Sequence, residues 1–91
     1  MKTEKEVLDI VCQIVSEHLD MPMKTVKDYL DVPLMDFPNN KDGAPYCDPL
    51  DFTELIMAFE DEFDLEISME IEDKFATIND VTHYITTYEA A

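Results

Sequence analysis

The stretch CDPLDFTEL, Cys47 to Leu55, gathers most of the groups on which chemistry could be built. Asp48 is a good helix N-cap, and Pro49 suits the first helical position, where a missing N–H costs nothing. The start of a helix favours an anion, whether a phosphate or a thiolate. Cys47 is therefore the candidate reactive thiol, and a thioester on its sulfur would carry an acyl group directly. Every charged residue from Asp48 to Asp73 is acidic, however, and that field opposes a thiolate. The expectation for Cys47 is a half-buried loop cysteine. Thr53 lies one turn into the helix, Ser16 inside an earlier one, and Ser68 and Thr77 at later caps, where a hydroxyl is already engaged. None has the surroundings of an attachment nucleophile.

Other catalytic sets are missing. His18 and His83 stand alone, without a carboxylate and nucleophile grouped around them. One glycine cannot build a phosphate-cradling loop. Cys12 and Cys47 have neither CxxC spacing nor a nearby histidine pair, so no zinc site and no disulfide framework is expected. The stretch PNNKDGAPYCDP has the look of a calcium loop. Placing Gly43 at its sixth position puts Pro38 at the first and Pro49 at the twelfth, and neither can be a ligand. The expectation is a protein that is not an enzyme, with no metal site beyond loose divalent binding to acids.

Charge narrows the partners. Six Lys and no Arg face 22 Asp plus Glu in 91 residues, for a net charge of −16. Phosphates would be repelled, which excludes nucleic acid and leaves basic protein surfaces or cations. With 46% hydrophobic residues the chain can still bury a core. No apolar run approaches the roughly 18 residues that span a bilayer. MKTEKEVLDIV turns amphipathic at once, without a signal-peptide core. The reading is one domain over residues 1–91, reduced, cytoplasmic and monomeric.

The elements that must position these residues are helical. Thr3 and Glu6 form a capping box ahead of Val7, Leu8, Val11, Ile14, Val15 and Leu19, a stripe at steps of three and four that ends before Pro22. His18 stands near the end of this helix, where it could interact with the dipole. Residues 19–47 read as irregular, punctuated by Pro33, Pro38 and Pro45, with Asn39-Asn40, an Asp42-Gly43 turn and a helical turn around Val26, Tyr29 and Leu30. Val32, Leu34, Met35 and Phe37 are too apolar for a free linker, so this loop should lie across the helices. A second helix runs from about Pro49 to Phe63, with Phe52, Leu55, Ile56, Phe59 and Phe63 as its core face. Ser68 caps a short helix through Lys74, Phe75 returns to the core, and Thr77 with Asp80 starts a last helix carrying Ile78, Val81, Ile85 and Tyr88. The fold class is all-α, a small antiparallel four-helix bundle with three longer helices, a short third one and a long loop between the first two.

On the second helix, Leu50, Glu54, Met57 and Asp61 line up away from the core at about 100° per residue. Apolar residues framed by one sign of charge suit a docking surface. Leu50 and Met57 would supply apolar contact, and Asp51, Glu54, Glu60, Asp61 and Glu66 the charge.

Taken in order, Asp48, Leu50, Asp51, Glu54, Met57, Glu60-Asp61-Glu62-Phe63-Asp64, Glu66-Ile67, Thr77 and Tyr84-Ile85 resemble the acyl carrier protein family. The first helix fits as well, so the resemblance spans the chain apart from residues 19–47, a loop longer than is usual there. It implies a four-helix carrier fold whose acidic second helix steers and docks basic patches on acyl-metabolism enzymes. It also implies a 4′-phosphopantetheine arm on a serine at the position that Pro49 occupies. Proline has no hydroxyl, so the arm has no acceptor and no cofactor is expected. The implied function is an adaptor or regulator linked to fatty-acid or polyketide-type metabolism. The alternative is a working carrier loaded at an unusual site.

Overall fold

A computed structural model describes residues 3–38, 47–68 and 75–90. Among these residues are four α-helices, α1 (Glu4–Leu19), α2 (Met23–Lys27), α3 (Pro49–Phe63) and α4 (Ile78–Ala90), with a 3-10 turn at Leu34–Asp36. No strand occurs among the described residues. The architecture is a small helical bundle in which α1 packs against α2, α3 and α4. The Cα radius of gyration of 12.2 Å is the size of a close-packed chain of this length.

Each long helix starts where its capping residues dictate. The Thr3 side chain accepts from Glu6 N–H at 3.2 Å, and Glu6 Oε1 accepts from Thr3 N–H at 3.1 Å. Thr77 and Asp80 repeat the arrangement at the head of α4, with both bonds at 3.1 Å. Both α1 and α3 stop on an aspartate in the left-handed region, Asp20 at φ 53° and Asp64 at φ 51°. There the Asp20 and Met21 N–H groups share the Ser16 carbonyl, and those of Asp64 and Leu65 share the Glu60 carbonyl. Glycine usually takes such positions, because a side chain crowds the backbone there. Aspartate and asparagine are the residues that tolerate it next best. Helix α1 thus ends two residues before Pro22, on Asp20.

One core runs through the bundle. Val7, Val11, Cys12, Val15 and Leu19 meet Leu55, Ile56, Phe59 and Phe63 from α3 and Ile78, Val81 and Ile85 from α4. Phe75 is buried beside Tyr84, their rings 5.2 Å apart. Four positions of the expected stripes depart from the core: Leu8, Ile14 and Phe52 are half-buried, and Tyr88 is exposed.

The segment after α1 is more ordered than an irregular loop. It holds α2, which Val26 anchors in the core, and the 3-10 turn, which buries Leu34 and Phe37 completely. Met35, between them, points outward. Tyr29 meets Phe37 edge to face at 5.4 Å. The backbone is stitched to α4 by Leu34 N–H to the Ala76 carbonyl (2.7 Å) and Asn79 N–H to the Leu30 carbonyl (3.2 Å). Asn79 Nδ2 adds a bond to Asp31 at 2.6 Å. This segment covers the core because its apolar residues have no other place to leave water. The expected helix from Ser68 to Lys74 and the turns at Asn39-Asn40, Asp42-Gly43 and Pro45 lie outside the described residues, Ser68 itself being exposed.

Candidate functional site

Helix α3 carries the residues singled out in the sequence, and its first turn is a closed hydrogen-bond arrangement. Asp48 Oδ1 accepts from Asp51 N–H at 2.8 Å, and Asp51 Oδ2 accepts from Asp48 N–H at 3.0 Å. This is a capping box with aspartate in the third position instead of glutamate or glutamine. Pro49 stands exposed at the first helical position and contributes no N–H. Thr53 donates its hydroxyl proton to the Pro49 carbonyl at 3.0 Å. The helix start that would favour an anion therefore has one donor absent, another satisfied by Asp48, and two carboxylates already beside it.

Asp51 corrects the expectation of a docking residue. Its side chain is buried and serves the helix start. Glu60 has an internal role as well. It is half-buried, and its Oε2 accepts the Ile67 N–H at 2.9 Å, fastening the chain after α3 back onto the helix. Glu66 is exposed between buried Leu65 and buried Ile67, beyond the end of α3.

Cys47 is more deeply buried than the half-buried loop cysteine expected. It is buried, its N–H bonds to the Phe37 carbonyl at 2.7 Å, and its sulfur lies 3.8 Å from the Asp48 carbonyl oxygen. Burial pushes the thiol up to about 11, and the Asp51 and Asp48 carboxylates push the same way. The neutral thiol is a core group, and no acidified nucleophile stands at this helix start. Cys12 is likewise buried and raised, chiefly by burial; Lys27 opposes the shift and Asp9 adds to it.

The remaining residues form a surface. Leu50 is 66% exposed and Met57 58%, large values for side chains of that size. Glu54 and Asp61 are exposed beside them. Glu54, Met57, Ala58 and Asp61 line an open hollow of about 300 Å3, which His18 of α1 closes on one side. Leu50 lies one turn closer to the helix start, outside the hollow. So Glu54, Met57 and Asp61 come together as their spacing predicted. His18 and Ala58 join them unpredicted, because nothing in the α1 sequence says which of its flanks runs beside α3. The arrangement is an apolar patch with carboxylates at its edges, suited to a side chain that is apolar along its length and cationic at its tip. Among the described residues no three His, Cys, Asp or Glu side chains are grouped to hold a metal ion, and no helix is long and apolar enough to cross a membrane.

No known family model matches the chain.

Proposed function

We propose that this protein is a non-catalytic binding module with the shape of an acyl carrier protein and no phosphopantetheine arm. It docks basic surfaces of acyl-metabolism enzymes, or of proteins that recognise carriers, through the acidic outer face of α3. It works as a monomeric adaptor or regulator in fatty-acid or polyketide-type metabolism. The observation that carries this reading is the pairing of two large exposed apolar side chains, Leu50 and Met57, with Glu54 and Asp61 on a helix that starts at a proline. In the family that α3 resembles, the corresponding face meets partners and the corresponding position bears the arm. Pro49 is exposed, so a hydroxyl there would be presented to a modifying enzyme, and proline has none to present. Burial and protonation of Cys47 weigh against an acyl group carried on the nearest thiol.

Two measurements test the proposal. Incubation with a phosphopantetheinyl transferase and coenzyme A should leave the intact mass unchanged, while Pro49→Ser should gain one arm. A gain by the native protein overturns the reading. If neither protein is modified, the resemblance does not extend to transferase recognition. Capture of carrier-metabolism enzymes by the native chain, lost in the Glu54→Lys, Met57→Lys double variant, is the expected docking result; capture unaffected by that variant refutes the assigned face.

A further inference from the structure

The hollow on α3 continues onto α1. A second open hollow of about 170 Å3 is lined by Ile10, Gln13, Ile14 and Glu17 of α1 and by Glu62 of α3. The two hollows follow one another along a single seam. Ile10, Ile14 and His18 succeed each other at one-turn intervals on α1, and Glu62, Ala58 and Glu54 do so on α3. As α1 advances from Ile10 to His18, α3 runs back from Glu62 towards Glu54, so the two helices are antiparallel and a groove lies between them. Eight residues of α1 rise about 12 Å, the length of roughly two helical turns.

Acidic side chains border the groove from end to end, while its apolar surface lies mainly at the Met57 end. Half-buried Ile10 and Ile14 stand beside exposed Gln13 at one end, half-buried Ala58 and exposed Met57 stand at the other, and exposed Glu17, Glu54, Asp61 and Glu62 flank them. No lysine lines either hollow. The described lysines are Lys5 at the head of α1 and Lys24 and Lys27 on α2, and Lys27 is paired with Asp9 at 3.4 Å. The groove is thus bordered by one sign of charge along its length and is apolar chiefly around Met57 and Ala58. Its complement is an amphipathic helix with Lys or Arg on both flanks and apolar side chains where it meets Met57 and Ala58.

We infer that the docking site is the α1–α3 groove as a whole and that its occupant is a short basic amphipathic helix of a partner, with Ile10, Ile14 and Glu17 of α1 contributing to recognition. This rests on the proposed docking role of α3 and adds a second wall and a partner geometry to it. Opposite charge speeds the encounter, and the apolar stripe decides residence on the groove.

The test uses the full chain and a synthetic 14-residue Leu/Lys amphipathic helical peptide, with a peptide of the same composition and scrambled periodicity beside it. Binding is read by fluorescence anisotropy, and the site by amide chemical shifts. The expected result is amide shifts at Ile10, Ile14, Glu17 and His18 together with Ala58, Asp61 and Glu62, and weaker binding of the scrambled peptide. Glu17→Lys and Ile14→Gln should each weaken binding about tenfold, and Asp36→Lys, an exposed acid outside the groove, less than about twofold, rim charges acting mainly through local fields. Glu17 is exposed, so its variant stays informative if Ile14→Gln unfolds. Loss of binding in Glu54→Lys with none in Glu17→Lys overturns the groove and leaves the α3 reading standing. Equal losses in Glu17→Lys, Glu54→Lys and Asp36→Lys, or no binding, overturn both.

Discussion

Replacing Asp51 by alanine separates a helix cap from a docking charge. The Asp51 carboxylate accepts the Asp48 N–H at 3.0 Å while its own N–H is held by Asp48 at 2.8 Å. Alanine removes the acceptor of the first bond and leaves the Asp48 N–H to find another. A hydrogen bond to a charged group contributes about 1.5–3 kcal/mol. A carboxylate in the first turn adds about 0.3–1 kcal/mol through the helix dipole. Alanine recovers about 0.7 kcal/mol of helix propensity, and losing one negative charge from a chain of net −16 relieves repulsion. The balance is a loss of about 1.5 kcal/mol, which in a domain of this size lowers Tm by roughly 6–12 °C. Glu54→Ala is the matched control. It removes the same charge from the same helix at an exposed position that makes no cap, and should stay within about 0.5 kcal/mol of the native protein. Thermal unfolding followed by circular dichroism at fixed ionic strength measures both. If Asp51→Ala melts like Glu54→Ala, the carboxylate is not holding the helix start, and its assignment as a docking charge returns.

Three further outcomes follow. Cys47, held to about 11 against a usual 9.0, has about 100-fold less thiolate at pH 8 than an ordinary thiol, so iodoacetamide should label it only after denaturation; labelling of the folded protein at the rate of a free thiol would contradict its burial. Because its folded pKa is raised, the stability it contributes is present below pH 9 and is lost as pH rises through about 11, which urea melts across that window would detect as a falling midpoint. Asp20→Gly and Asp64→Gly should each raise stability by about 0.5–1 kcal/mol, since glycine relieves the left-handed backbone at φ 53° and 51° and removes an acid from a helix C-terminus. A lower denaturation midpoint for both would mean that the aspartate side chains are themselves needed at those ends.

Local sequence rules carried most of the helix ends. Thr3 with Glu6, Asp48 with Pro49, and Thr77 with Asp80 marked starts that the structure places at the same residues, because a cap is made by groups three positions apart. The apolar spacing of α1, α3 and α4 likewise named most residues of the core, with Leu8, Ile14 and Phe52 half-buried at its edge and Tyr88 exposed. The segment after α1 was legible as an apolar cover with one helical turn around Val26. That it forms α2 and a 3-10 turn tied to Ala76 and Asn79 depends on partners more than 40 residues away in sequence, which short-range patterns do not encode.

The same division runs through the site. By itself the sequence determined that α3 begins without a hydroxyl, that its outward face pairs Leu50 and Met57 with acids, and that the whole chain is strongly negative. Those are properties of residue type and helical period, and no fold is needed to read them. Tertiary structure decided which acids are available: Asp51 caps the helix, Glu60 fastens Ile67, and Glu54 and Asp61 remain on the surface. It also decided that Cys47 is buried and neutral, and that Ile10, Ile14, Glu17 and His18 stand beside α3. The reason is that burial and proximity between helices are set by how whole elements pack, and a periodicity shows which residues share a face without showing what that face will meet.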